Sequence, residues 1–166
     1  MSEQLFQNNE ENYGSLYKEH LFEQYKLYID SIERVSNKRQ SANNYFIAVN
    51  TVIISLVSLK IGGNFLQFEG FMKPTIAILG IAVCFIFFFL MKSYKQLNTG
   101  KFKVLHQIEK KLPLDLYRYE WSLLGKGKVT GVYIPFSHIE RLIPVVFGTF
   151  YVFILIIFLA ETYEFI

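Results

Sequence analysis

The sequence lacks a second cysteine, lacks charge over three long segments and lacks the common catalytic motifs. Cys84 is its single cysteine, so no disulfide can form within one chain, and a disulfide-stabilised secreted fold is excluded. The uncharged segments are 40–59, 74–91 and 142–160, with 20, 18 and 19 residues that include no Asp, Glu, Lys or Arg. About 20 apolar residues form a helix that crosses the hydrocarbon core of a bilayer. The pattern therefore excludes a disordered chain and a soluble monomer.

The catalytic motifs that are absent limit the functions open to the protein. No His-Glu-x-x-His zinc motif, Walker A loop or Gly-x-Ser-x-Gly nucleophile turn occurs. The three histidines, His20, His106 and His138, are far apart, and His106 has a carboxylate, Glu109, three residues on, where the two can share a helix face. One imidazole and one carboxylate fall short of a metal site. The sequence therefore predicts no enzyme, no cofactor and no metal.

The distribution of basic residues predicts which segments lie on each side of the membrane. Segments 1–41 and 92–141 together hold 15 of the 17 Lys and Arg residues. Basic residues accumulate on the cytoplasmic side, so both segments are predicted to be cytoplasmic. The short segment 62–72 and the acidic tail 161–166 then face outward. The sequence predicts a multi-pass protein of the cell (inner) membrane with a cytoplasmic N-terminus and an external C-terminus.

The predicted fold is all-α and transmembrane, with three membrane-spanning helices, a long N-terminal helix and a small cytoplasmic helical domain. No Gly or Pro lies between Ser15 and Ile61, so one helix can continue into the first span. A small hairpin is predicted to lead into 132–134, and a Ser137-x-x-Glu140 capping box predicts the start of the last helix. The predicted segments are an amphipathic helix at 1–40, spans at 41–61, 73–91 and 142–160, an external hairpin at 62–72, a basic cytoplasmic domain at 92–141 and an external tail at 161–166.

An apolar stripe marks one face of the N-terminal helix. Its members recur at helical spacing and are Leu21, Tyr25, Tyr28, Ile32 and Val35, widened by Phe22 and Ile29. The stripe predicts either packing against the rest of the cytoplasmic domain or a contact between subunits.

Polar side chains mark one face of the first predicted span. Asn44, Thr51, Ser55 and Ser58 share this face, and Asn43 and Asn50 flank it. Polar groups are costly against lipid tails, so the face should meet other helices or water. Two interpretations remain: hydrogen bonds between helices of one subunit, or the lining of a pore at the axis of an oligomer. The predicted pore-lining set is Asn43, Asn44, Asn50, Thr51, Ser55 and Ser58.

The segment 92–128 is rich in Lys and Arg with aromatic neighbours. Basic residues near a membrane attract anionic lipid headgroups. Alternatively, the segment binds a nucleotide or a single-stranded nucleic acid, with aromatic rings stacking on the bases, or it binds a protein. The candidate anion-binding residues are Lys101, Lys103, Lys110, Lys111, Arg118, Tyr117 and Trp121.

The segment 93–113 and the residues after it resemble a known family. The resemblance is carried by Asn98, Lys101, Phe102, Glu109 and the pair Glu120-Trp121, and it extends over about 16–155. The sequence resembles the RipA family of octameric membrane proteins, which are small multi-span proteins of the bacterial inner membrane. The resemblance implies a homo-oligomer and assigns no catalytic residue. A weaker, architectural similarity links the chain to membrane effectors of phage-defence systems.

Together these features predict a homo-oligomeric pore or channel of four to eight subunits. An anionic nucleotide or oligonucleotide would gate it, with a role in antiviral defence. The alternative is a non-conducting, membrane-anchored scaffold that recruits a partner. The polar face favours the pore, whereas the lack of charge within the spans favours the scaffold.

Overall fold

The protein is built from helices. A computed structural model describes residues 5–58, 72–129 and 131–163, and the described residues contain no strand. The helices are α1 (Glu10–Tyr13), α2 (Tyr17–Ser58), α3 (Met72–Glu109), α4 (Leu116–Leu123) and α5 (Phe136–Tyr163), with a short 3₁₀ turn at Gly125–Gly127. The predicted continuation of the N-terminal helix into the first apolar segment is confirmed, because α2 has no break over 42 residues.

The chain forms two compact units. Unit 1 contains Met1–Arg39 and Tyr94–Pro135, and unit 2 contains Gln40–Ser93 and Phe136–Ile166. Unit 1 therefore holds the first part of α2, the last part of α3 and all of α4. Unit 2 holds the apolar parts of α2 and α3 together with α5.

The core of unit 1 is the apolar stripe of α2 packed on α3. Tyr25 and Ile32 of α2 are buried with Leu105 and Ile108 of α3. Around them lie partly buried apolar side chains: Leu21, Tyr28, Ile29, Phe102, Val104, Leu112 and Tyr117. The stripe thus packs within its own unit, as the first of its two interpretations predicts. Two members of the stripe are not part of this core: Phe22, which is 49% exposed, and Val35, which is half-buried.

Unit 2 is held by aromatic packing among its three helices. Phe46 of α2 stacks on Phe87 of α3, with ring centroids 3.9 Å apart, and meets Phe147 of α5 edge-on at 5.8 Å. Tyr151 of α5 is fully buried, and its ring lies against Gly80 of α3. A Cβ at Gly80 would come within 2.7 Å of three ring carbons, so only glycine admits this ring. Large aromatic surfaces and one close approach therefore determine how the three helices fit together.

Two helices are long and apolar enough to cross a membrane. They are Pro74–Glu109 and Phe136–Ala160, and only 28% and 11% of their most apolar windows are buried. A core helix of a soluble protein would be mostly buried, so these faces are available to lipid or to other subunits. The apolar segment that contains the end of α2 continues beyond the described residues, and the described part of α2 is not among these candidate spans. The three-span topology stays a prediction.

Some predicted features lie outside the described residues. These are the external hairpin at 62–72, apart from Met72 at the start of α3, and residues 164–166 of the external tail. The side chain of Ser58 also lies outside them.

The connection between α4 and α5 differs from the prediction. The described residues of 125–135 form turns and irregular backbone with no strand, so the small hairpin predicted to lead into 132–134 is wrong. Gly125, Lys126 and Gly127 all have positive φ, which makes a tight left-handed turn in place of paired strands. Helix α5 begins at Phe136, two residues before the start that the Ser137 capping box predicts. Pro135 directly precedes it.

Candidate functional site

A buried polar centre lies among the helices of unit 2. Asn50 of α2 is fully buried, and its Nδ2 donates a hydrogen bond to the Phe46 carbonyl at 2.8 Å. Its Oδ1 accepts from the Tyr151 hydroxyl at 3.0 Å, and the Cys84 thiol lies 3.9 Å from the same oxygen. The amide of Asn50 therefore links α2 to α5 and lies beside α3. This is the interhelical hydrogen bonding that one interpretation of the polar stripe predicts.

A second polar feature of α2 is exposed on the surface of unit 2. Asn44, Ala48, Thr51 and Ser55 are three or four residues apart, so they share one helix face, and all four are exposed. This small polar face, as we call these four residues, contains no large apolar side chain. Thr51 donates to the Ile47 carbonyl at 2.9 Å, and Ser55 donates to the Thr51 carbonyl at 2.8 Å. Each hydroxyl keeps lone pairs that can accept a further hydrogen bond.

The structure therefore separates the predicted pore-lining residues. Asn44, Thr51 and Ser55 lie together on the small polar face, whereas Asn50 points into the unit. Asn43 is half-buried, and its Oδ1 is shielded from solvent without a hydrogen-bond partner among the described residues. That these residues line a pore stays a prediction.

The other exposed faces of unit 2 are apolar. Helix α3 exposes Ile78, Leu79, Phe85 and Ile86, and more than half of each is accessible. Helix α5 exposes Val146, Phe153 and Ile156 to a similar extent. These surfaces suit lipid tails, and the small polar face does not. Unit 2 thus presents two chemically different kinds of surface.

A buried carboxylate organises unit 1. Glu109, at the end of α3, has a fully buried side chain. Its Oε1 accepts from the backbone N–H of Tyr117 at 2.9 Å and from the Tyr25 hydroxyl at 3.4 Å. Its Oε2 lies 3.2 Å from Nδ1 of His106. Burial, followed by the negative charge of Glu109, raises the pKa of Tyr25 to about 12. Glu109 therefore joins α2, α3 and α4 at one point.

The predicted anion-binding lysines point in different directions. Lys101 is half-buried against α2, where its Nζ donates to the Ser31 hydroxyl at 2.6 Å and lies 5.0 Å from the centre of the Tyr28 ring. Lys103 is exposed on another face of α3. Lys110, the residue after the end of α3, is also exposed, and its Nζ donates to Oε1 of Gln107 at 3.2 Å. Lys111 lies over the Phe6 ring at 5.6 Å. The described contacts therefore do not gather these lysines into one cluster.

The other predicted ligand-binding residues lie on α4. Arg118 is exposed, with its Nε 3.5 Å from Oδ2 of Asp115. Tyr117 is half-buried and meets the Phe102 ring edge-on at 6.1 Å. Trp121 is 40% exposed and packs edge-on against Tyr133 at 6.4 Å. Both rings thus have packing partners within unit 1, and their part in ligand binding stays a prediction.

Sequence reasoning missed three residues that matter in these sites. Tyr151 sits in an uncharged apolar segment, where its hydroxyl was the one available signal for a partner to Asn50. Gly80 is likewise a lone glycine inside an apolar helix, a pattern that often marks a close approach. Asp115 follows the Pro113 break and comes near His106 and Glu109 only through the fold.

The apolar helices, mostly exposed in a single chain, and the polar centre between them define a helical membrane protein. The chain belongs to the octameric membrane protein family (8xMP), whose family profile matches residues 22–160. This match confirms the family resemblance of the sequence and identifies a membrane protein that assembles from copies of itself. No curated protein and no solved structure matches the chain.

Proposed function

We propose that the protein is a homo-oligomeric pore of the bacterial inner membrane. In this proposal α2 contributes a third span, and its small polar face lines the axis of the assembly. The positive-inside distribution of charge supports a cytoplasmic N-terminus and an external C-terminus. The role is non-enzymatic, in line with the absence of any catalytic motif from the sequence.

The observation that carries the proposal is the contrast between the exposed faces of unit 2. Large apolar side chains on α3 and α5 suit lipid, whereas Asn44, Thr51 and Ser55 expose an amide and two hydroxyls. In a ring of identical chains, the surface that suits lipid least is best placed toward the centre. There, residues of this size leave room for water, and their free lone pairs can accept hydrogen bonds from it.

A cysteine-accessibility experiment tests the proposal with a matched pair of threonines. Thr51 and Thr149 are both exposed, and each hydroxyl donates to the carbonyl four residues earlier. Thr149 lies on α5 among apolar neighbours. In a Cys84→Ala background, Thr51→Cys should react with a membrane-impermeant thiol reagent, and Thr149→Cys should not.

Flux measurements give the second part of the test. Thr51→Val with Ser55→Ala should reduce ion flux through proteoliposomes at least tenfold, because an apolar constriction excludes water. Thr149→Val should leave the flux unchanged. Equal labelling of the two cysteines, or wild-type proteoliposomes that never conduct, would contradict the pore. Asn50 is unsuitable for this test because its substitution breaks the polar centre.

A non-conducting scaffold is the alternative, and one observation favours it. The hydroxyls of Thr51 and Ser55 already donate within α2, so the same face can pack dry against a neighbouring subunit. In that case Thr51→Cys would form disulfides between subunits under oxidation and would resist the impermeant reagent.

We further propose that an anionic ligand regulates the pore through unit 1, as expected for an effector of antiviral defence. Lys103 and Lys110 support this role, because both are exposed, Lys103 on α3 and Lys110 directly after its last residue. Phosphates are their natural ligands, either in anionic lipid or in a nucleotide or single-stranded DNA. Lys101 contributes less to such a surface, because it is half-buried against α2 and donates to Ser31.

Charge reversal separates the two sources of phosphate. Lys103→Glu with Lys110→Glu should weaken binding of a short single-stranded oligonucleotide, and wild-type binding should fall steeply as salt rises. Lys38→Glu, at another exposed position of unit 1, is the matched control. If the double variant loses only its attraction to anionic vesicles, and the wild type binds no oligonucleotide, the basic surface binds lipid and the ligand-gated proposal fails.

A further inference from the structure

We infer that unit 1 contains a divalent metal site, best suited to Zn²⁺, formed by His106, Glu109 and Asp115. One nitrogen of His106 and one carboxylate oxygen from each acidic residue lie within 4.8 Å of one another. The inference is independent of the proposed pore, because it rests on unit 1 alone. It goes beyond the sequence, in which Asp115 is separated from the other two residues by a proline break.

The spacing of the potential ligands fits a small cation. Nδ1 of His106 and Oε2 of Glu109 are 3.2 Å apart. Two ligands of a tetrahedral zinc ion, each with a bond of about 2.1 Å, lie about 3.4 Å apart. His106 and Glu109 therefore already have the separation of neighbouring ligands. The Asp115 oxygen lies within 4.8 Å of these two atoms and has to approach them by up to about 1.4 Å to complete a three-ligand set.

Each carboxylate has one oxygen that a metal could bind. Oε1 of Glu109 accepts from Tyr117 and Tyr25, and Oε2 is hydrogen-bonded to Nδ1 of His106, a bond that an ion between these two atoms would replace. Oδ2 of Asp115 lies near Nε of Arg118, at 3.5 Å. Its Oδ1 is buried and has no hydrogen-bond partner among the described residues. A buried oxygen without a partner is costly, and a bound cation would satisfy it.

The position of Asp115 strengthens this interpretation. Asp115 is the N-cap residue of α4, where an aspartate ordinarily accepts a hydrogen bond from the first turn of its helix. Here the Asp115 side chain makes no capping bond, and Glu109 accepts from Tyr117 instead. Glu109 thus caps α4 from the end of α3, and the carboxylate of Asp115 is left for another partner.

The ligand set indicates the kind of metal and its effect. One imidazole and two carboxylates are borderline-hard ligands that suit Zn²⁺, and three protein ligands leave a fourth position for water. The metal ion would place a positive charge directly beside the fully buried Glu109 carboxylate. A bound ion would fasten the end of α3 to the start of α4, so unit 1 should be more stable with metal than without it.

Metal binding to the full-length protein in detergent tests the inference. The protein is purified without a polyhistidine tag and stripped with EDTA, and its Zn²⁺ uptake is then measured by equilibrium dialysis and elemental analysis. Wild type should bind about one Zn²⁺ per chain, and Co²⁺ in its place should give the visible absorption of a tetrahedral site. Asp115→Asn and His106→Gln should each weaken binding about tenfold or more. Asparagine is also a good N-cap, so Asp115→Asn preserves the start of α4.

The two remaining histidines supply the control. The double variant His20→Gln with His138→Gln should bind Zn²⁺ as the wild type does. Zn²⁺ should raise the unfolding temperature of the wild type and of this double variant. The same addition should have little effect on Asp115→Asn. The inference is overturned if the stripped wild type takes up no Zn²⁺, if Asp115→Asn and His106→Gln both bind as tightly as wild type, or if the control variant loses the ion.

Discussion

At the scale of single residues, Asn50 shows how a polar side chain is accommodated inside an apolar unit. Its amide donates to its own helix and accepts from Tyr151, so both ends are satisfied without water. Polar residues between membrane helices commonly form hydrogen bonds of this kind. The buried asparagine therefore contributes to the pairing of α2 with α5 rather than to a surface.

Removal of one hydroxyl tests this role. Tyr151→Phe should destabilise unit 2 by about 1 kcal/mol, because the hydrogen bond is lost and Oδ1 of Asn50 remains buried. Steric-trap or detergent unfolding of the intact protein measures the change. Tyr45→Phe is the control, because Tyr45 is 73% exposed and should tolerate the loss. If the two variants were equally stable, the Tyr151 hydroxyl would make no contribution to the stability of unit 2.

At the scale of the helices, the approach of α5 to α3 depends on small residues. Gly80 lies against the Tyr151 ring, and a Cβ at Gly148 would lie 3.7 Å from Cβ of Cys84. The two glycines differ in what an added methyl group would meet. At Gly80 it would collide with a fully buried ring, whereas at Gly148 it would make an ordinary contact.

The pair predicts opposite outcomes for the same substitution. Gly80→Ala should cost about 1–3 kcal/mol, because α3 and α5 must separate or the Tyr151 ring must move. Gly148→Ala should be neutral or slightly stabilising, since alanine favours the helix by about 1 kcal/mol over glycine. Thermal unfolding of both variants in one detergent measures the difference. A Gly80→Ala protein as stable as wild type would show that the helices do not pack this closely.

The helices were more predictable than their contacts. Absence of Gly and Pro predicted the continuity of α2, because this signal is local. The periodic stripe from Leu21 to Ile32 predicted a buried face of α2 but did not distinguish packing within unit 1 from a contact between subunits. The inward direction of Asn50 was not predictable, since a helix with a polar face does not reveal which partner satisfies each group. The meeting of Asp115 with Glu109 depends on a reversal of the chain after Pro113, which no spacing rule describes. The small hairpin predicted to lead into 132–134 is wrong because a glycine-rich loop such as the one that begins at Gly125 suits both paired strands and an unpaired turn.

At the scale of the whole molecule, membership of an octameric family agrees with the amount of apolar surface that one chain leaves uncovered. Eight copies of a 19.5 kDa chain have a mass of about 156 kDa. The three-span proposal also predicts how each chain is oriented across the membrane. It places residues near Gly127 in the cytoplasm and the end of the sequence at Ile166 outside.

Mass and topology can be tested on the same preparation of membranes. Native mass spectrometry should find the protein at about 156 kDa, because α2 to α5 expose faces that other subunits or lipid must cover. A reporter after Ile166 should be accessible from outside, and one inserted at Gly127 should not. Reporters on the same side would contradict the three-span topology, and a monomer would contradict assembly through these faces.

The cap that Glu109 supplies to α4 has a consequence for the order in which unit 1 folds. Helix α4 has eight residues, too few to be stable alone, and the hydrogen-bond acceptor for its first turn comes from another helix. A synthetic peptide of 112–129 should therefore be a random coil by circular dichroism, even though the same residues are helical in the protein. We therefore expect the α4 segment to become helical only after α2 and α3 have paired around Tyr25 and Glu109, so that unit 1 forms from its two long helices outward.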